Sequence, residues 1–127
     1  MKALFDTHAF IWWDSEPNKL SPTALAFVAN PDNEIFLSIV SVWEMIIKLQ
    51  LGKITLRLPL KEIIEQQQSN GIQILNPTLD HALAVAVMPQ VHKDPFDRLL
   101  IGQALSEGAA ILTVDPLFAQ YSVKVIW

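Results

Sequence analysis

The chain has 127 residues, a formal net charge of −4, 51% hydrophobic and 17% charged residues, and no cysteine. That length fits a single domain spanning residues 1–127 with a core of its own, and the low charge with high apolar content argues against a disordered chain. The absence of cysteine excludes disulfides, thiolate metal sites and a cysteine nucleophile.

The elements follow in chain order. Ala3-Leu4-Phe5 is a brief apolar strand ending at Asp6-Thr7, and His8 to Trp13 reads as a helix. Ser21-Pro22 opens a helix to about Ala29, with a cap residue before a proline at the first helical position. Glu34 to Ser38 is a buried strand. Ser41 is expected to cap a helix running to about Leu51 and stopped by Gly52. Ile54 to Leu58 alternates like a short edge strand. Leu60 to Ser69 is a helix, Ile72 to Leu75 a strand, and Thr78 caps a helix through Val87. Asp94-Pro95 starts a helix through Leu105 that ends before Gly108. Ala110 to Val114 is a strand, Asp115-Pro116 opens a helical turn, and Val123 to Ile126 is the last strand. Continuous apolar strands alternating with helices predict a mainly parallel sheet covered on both faces, an α/β/α sandwich. Such sheets hold ligands beyond the carboxyl ends of their strands.

No apolar run approaches the roughly 20 residues that cross a bilayer, and the run after Lys2 is broken at Asp6, so a cytoplasmic protein is expected. The acidic balance argues against a basic nucleic-acid-binding surface, unless several acids are gathered around a metal. A subset of the acids is placed for that. Asp6 and Asp115 each follow a strand, Glu44 lies early in the helix after a strand, and Asp94 and Asp97 begin another helix. Each also has a plain alternative. Ser41 to Glu44 fits a capping box, and Asp94 and Asp115 fit helix caps before proline. Jointly, carboxylates converging on one sheet edge would repel one another without a cation. Oxygen-rich sites suit Mg²⁺ or Mn²⁺, which serve phosphodiester hydrolysis.

The segments LFDTHAFIWW, SIVSVWEMIIKLQLGKI, HKDPFDRLLIGQA and ILTVDPLF resemble, in order and spacing, those of PIN-domain ribonucleases, and among them the VapC-type toxins. The resemblance covers the whole chain. It implies a PIN-like three-layer α/β/α sandwich and a Mg²⁺- or Mn²⁺-dependent endoribonuclease that hydrolyses RNA with a metal-activated water. It implies that Asp6, Glu44, Asp97 and Asp115 are the metal-binding and catalytic acids. Thr7 and Thr113 then hold the acids, Asp94 is a cap or outer residue, and Arg98 belongs to the same stretch. It also implies a cognate antitoxin and self-association.

Other residues are weighed beside that. Lys48 pairs with Glu44 one turn earlier or touches substrate phosphate, and Lys93 and Arg98 are the nearest candidates for phosphate contacts. His8 is near enough to Asp6 to touch the site, His81 reads as a surface or packing residue, and His92 as a solvated loop residue. The isolated glycines exclude a phosphate-binding loop. Phe10, Ile11, Trp12, Trp13, Trp43, Ile46 and Ile47 exceed what one small core readily buries. A homodimer is therefore expected, with an antitoxin helix docked around residues 10 to 13 and 43 to 51. The alternative to an enzyme is a catalytically silent interaction module whose acids only cap helices.

Overall fold

Short apolar runs without polar alternation become strands buried on both faces. The computed structural model describes residues 1–127 and shows five of them: β1 (Lys2–Phe5), β2 (Glu34–Ser38), β3 (Gln73–Leu75), β4 (Ala110–Leu112) and β5 (Val125–Ile126). Their order across the sheet is β3-β2-β1-β4-β5. Every pairing is parallel, with Leu4 opposite Phe36 on one side and Ile111 on the other. The connections are helical: α1 (Thr7–Ser15), α2 (Pro22–Ala29), α3 (Ile39–Gln50), α4 (Leu60–Ser69), α5 (Leu79–Ala86) and α6 (Pro95–Glu107).

Alternate strand residues serve opposite faces, which makes two cores. Phe5, Ile35, Leu37 and Leu112 pack with Phe10, Ala24, Met45 and Ile63 beneath α1, α2 and α4. Leu4 and Ile111 pack with Leu100, Ile101, Ala104 and Phe118 on the α6 face. The result is the expected three-layer sandwich. The chain winds outward from β1 to β3, then returns to the other side of β1 for β4 and β5. The winding thus reverses between β1 and β4, where a crevice opens beyond the strand ends.

Two expectations are corrected. Ser41 does not cap α3: Ser38 does, accepting from the Val40 N–H at 3.0 Å, so β2 runs straight into the helix. Ser38 wins because its hydroxyl also reaches Gln103 Oε1 at 2.5 Å, joining α3 to α6. Glu44 therefore lies in the second turn and takes no part in a capping box. Residues 54–58 form no strand. Their alternation survives as burial, with Ile54, Leu56 and Leu58 packed on the core. Arg57 points the other way and donates to both carboxylate oxygens of Asp14, at 2.9 and 2.8 Å.

His81 is buried, as its packing reading allows. It completes a capping box with Thr78, contacts Glu107 at 3.0 Å and meets Gln103. Beside it α5 and α6 approach closely over Gly102. A Cβ there would stand 2.7 Å from the His81 carbonyl oxygen and 3.1 Å from Val85 Cγ2. Gly102→Ala should therefore cost about 1–3 kcal/mol, read as a lower urea midpoint at an unchanged slope.

Candidate metal centre

The first acid is set by the end of β1. Asp6 caps α1, its Oδ1 accepting from the Ala9 N–H at 2.7 Å. Its Oδ2 accepts from the Thr113 hydroxyl at 2.5 Å, across the β1–β4 crevice. The residue is only 6% exposed. Burial raises its pKa, and the bonds from Thr113 and Ala9 and the charge of His8 resist that rise.

Glu44 reaches the crevice from α3 and is buried. Thr7 Oγ1 lies 2.6 Å from its Oε1, and Thr7 is also 3.0 Å from Ser41 Oγ. Lys48 holds the other oxygen at 2.6 Å. The helix-pair reading of Lys48 is thus the observed one. Glu44 arrives already matched by one cation and one hydroxyl.

The remaining acids come from α6 and the turn after β4. Asp94 caps α6 through the Phe96 and Asp97 N–H groups at 2.8 and 3.3 Å. Asp115 accepts from the Leu117 N–H at 2.9 Å and opens the 3₁₀ turn Pro116–Gln120. Asp97, in the first turn of α6, accepts no hydrogen bond from any protein donor. Burial pushes its pKa up to about 7, with further pressure from Asp94, Glu44, Asp6 and Asp115. All four of those charges are therefore close enough to act on Asp97.

Three of these acids do double duty. Asp6, Asp94 and Asp115 cap helices, whereas Glu44, which the sequence pattern most resembled a cap, does not. The capping alternative accounts for one oxygen each of Asp6, Asp94 and Asp115, and for nothing at Asp97. A half-buried carboxyl without a donor, surrounded by like charge, is the donor chemistry that a hard divalent cation satisfies. The residues present fit Mg²⁺ or Mn²⁺.

His92 was not legible as part of this group. The loop residue is 6% exposed, not solvated. Its Nε2 lies 3.2 Å from Asp115 Oδ2 and 3.9 Å from Asp97 Oδ2. No local pattern marks it, because its burial depends on Phe118 and Tyr121, more than twenty residues away in the chain. Gln103 was also missed. Its signal was an uncharged polar residue inside the apolar run of α6. Arg98 donates to the Pro89 and Val85 carbonyls at 3.0 and 3.2 Å, and so braces the loop that carries His92. With Gln90, His92 and Lys93 it also lines a cavity of about 370 Å³.

At the expected docking surface Phe10 is core, while Ile11, Trp12 and Trp13 are partly buried, the Trp13 indole N–H donating to Gln67 at 2.9 Å. Ile39, Trp43 and Ile46 are exposed along α3, and Trp43 stands edge-on to Phe96 at 5.4 Å.

The PIN domain family model matches residues 3–124, and the chain belongs to the PIN-domain family. It is 30% identical over 116 residues to Ribonuclease VapC22 of Mycobacterium tuberculosis, covering 88% of this chain and 85% of that protein. Its fold matches that of VapBC2 from Rickettsia felis, solved bound to a promoter DNA fragment, with a TM-score of 0.70 at 12% identity, over 98% of this chain and 97% of that one. DNA-bound VapBC from Salmonella typhimurium matches with a TM-score of 0.66 at 15% identity, over 98% and 96% of the two chains.

Asp97 also makes stability depend on pH. Its folded pKa of about 7 exceeds the ordinary 3.8, so the folded state binds the proton more tightly. The metal-free protein is then most stable, as far as this group decides, below the unfolded pKa. It loses that advantage as pH rises through about 7. Asp97→Asn should raise the melting temperature of metal-free protein at pH 8, and the gain should shrink at pH 5. A gain that is equal at both pH values would remove Asp97 from the repulsive cluster.

Proposed function

We propose that this protein is a Mg²⁺- or Mn²⁺-dependent endoribonuclease, the toxin of a cytoplasmic toxin–antitoxin pair. The observation that carries this is the convergence of Asp6, Glu44 and Asp115 on Asp97, whose carboxyl has no protein donor and a pKa near 7. The likeness to a protein named a ribonuclease supports RNA as the substrate. No helix is long and apolar enough to cross a membrane, which accords with the cytoplasmic setting.

In this reading Asp6 and Asp97 hold the cation directly, and Glu44 and Asp115 complete the acidic set. When bound, the ion would supply the positive charge that orients a phosphodiester and lowers the pKa of water enough to yield a hydroxide nucleophile. The chain's own residues prepare that geometry. Thr113 fixes one Asp6 oxygen and the start of α1 fixes the other, so the carboxylate cannot rotate. Thr7 and Lys48 fix Glu44 in the same way. Lys93 and Arg98, on the cavity beside His92, place positive charge where an RNA phosphate approaches.

The antitoxin is proposed to dock on α3 and α4. Val42, Ile46, Leu60 and Ile64 line a groove of about 430 Å³ with Lys61 and Glu65 at its rim. An amphipathic helix fits such a groove, and the VapBC names of the structural neighbours support a partner of this kind. The homodimer is proposed to use the exposed stripe Leu79, Leu83 and Val87, which α5 and the residue after it present to solvent.

Asp6→Ala should abolish metal-dependent cleavage of total cellular RNA while the protein still folds. Cleavage at the wild-type rate would refute the assignment. Glu44→Gln keeps a partner for Thr7 and removes the charge. It should lose activity and, because Glu44 is buried while Lys48 keeps part of its surface in water, cost about 1–3 kcal/mol of stability. For the partner, Ile46→Glu should weaken inhibition by antitoxin and leave RNA cleavage intact. Unchanged inhibition would place the antitoxin elsewhere.

A further inference from the structure

We propose that His92 Nε2 is a direct ligand of the divalent cation, so that the centre carries one nitrogen among its carboxylate oxygens and prefers Mn²⁺ to Mg²⁺. The proposal rests on the metal-dependent reading above and adds to it the donor that sets which ion binds.

The ring is buried and held on three sides. It stacks on Tyr121 with centroids 5.5 Å apart and planes 17° apart, and stands edge-on to Phe118 at 4.7 Å. Tyr121 Oη accepts from the His92 backbone N–H at 2.7 Å and lies 3.2 Å from Nδ1. One ring nitrogen is thus engaged with a fixed oxygen, and the other is aimed at the acids. A metal-ligating histidine is commonly held in this way, its second nitrogen bonded to an outer partner that fixes the ring.

The distances fit a shared ion. Nε2 is 3.2 Å from Asp115 Oδ2 and 3.9 Å from Asp97 Oδ2. One donor atom from each of the three residues lies within 4.8 Å of the others. Ligands about 2.1 Å from one ion stand roughly 3 to 4 Å apart. The plainer arrangement has Nε2–H donating to Asp115 and only positioning it. That arrangement satisfies Asp115 but leaves Asp97 without a donor, whereas an ion serves both.

Nitrogen donors matter for the choice of ion. Mg²⁺ takes oxygen almost exclusively and keeps its waters, while Mn²⁺, a first-row transition ion, also binds at mixed nitrogen and oxygen sites. Removing the nitrogen should therefore weaken Mn²⁺ binding much more than Mg²⁺ binding.

The test uses metal-free protein titrated with MnCl₂ or MgCl₂ by calorimetry, and pulsed electron paramagnetic resonance of the Mn²⁺-loaded protein. Wild-type protein should show ¹⁴N modulation from a coordinated imidazole. His8→Ala, which removes the imidazole beside Asp6, should keep it. His92→Phe, which preserves the packing on Phe118 and Tyr121, should lose it. His92→Phe should also bind Mn²⁺ at least about tenfold more weakly, the lower end of what disturbing a ligand's surroundings costs, with Mg²⁺ affinity changed far less. His92→Gln, which offers an oxygen, should reduce the preference for Mn²⁺ and confirms the effect if His92→Phe is unstable. Bound Mn²⁺ without nitrogen modulation, or an equal loss for both ions, would overturn this proposal alone. No binding of either ion to the wild-type protein would overturn the metal-dependent reading and this proposal with it.

Discussion

Like charge held at close range is the constraint around which this molecule is organised. Burial first, and then four neighbouring carboxylates, push Asp97 to a pKa of about 7. Such an arrangement persists only if the surrounding structure prevents the acids from moving apart. Two features provide that rigidity. The parallel sheet anchors Asp6 and Asp115 at the ends of adjacent strands, β1 and β4. A buried polar chain then joins the helices that bring the others. Ser38 at the start of α3 bonds to Gln103 in α6, which meets His81 of α5, which meets Glu107 at the end of α6. Glu44 and Asp97 ride on the helices that this chain fastens together. A buried network with every member partnered rigidifies a core in this way, and no buried side-chain polar atom lacks a partner here.

Capping and site construction use the same side chains. A carboxylate at a helix start is favoured by the free N–H groups and by the helix dipole. Asp6, Asp94 and Asp115 are each held there. Capping occupies one oxygen of each; the other accepts from the Thr113 hydroxyl at Asp6 and lies 3.2 Å from His92 Nε2 at Asp115. A capping role and a place in the candidate site are therefore compatible at Asp6 and Asp115. The helix start restricts the carboxylate's rotation, and the restricted carboxylate becomes a preorganised donor.

Much of the fold was legible because its signals are local. Continuous apolar strands, Ser21-Pro22, Thr78 and Asp94-Pro95 marked the parallel layers and the helix starts. The places of Asp6, Asp94, Asp97 and Asp115 at helix starts were legible in the same way. Three things were not. The cap of α3 was placed at Ser41 because the sequence pattern Ser-x-x-Glu is complete there. Ser38 wins through a bond to Gln103, 65 residues away. The segment 54–58 shows strand alternation, but a pattern of burial does not specify a pairing partner, and Arg57 is drawn to Asp14. His92 depends on two aromatic residues contributed by the turn after β4. In each case the deciding contact is remote in sequence, and no propensity or spacing encodes it.

The two halves of the centre handle charge differently, and the difference assigns their roles. Glu44 is partnered within the chain by Lys48 and Thr7, so it stays oriented whether or not an ion is bound. Asp97 has no such compensation, and in the metal-free protein it relieves the repulsion by holding a proton near neutral pH. A cation bound there would have to displace that proton. Whatever binds the folded state alone also stabilises it. On the proposed reading the ion would therefore be coupled to folding through Asp97, and the uncompensated half, with His92 clamped beside it, would decide which ion binds.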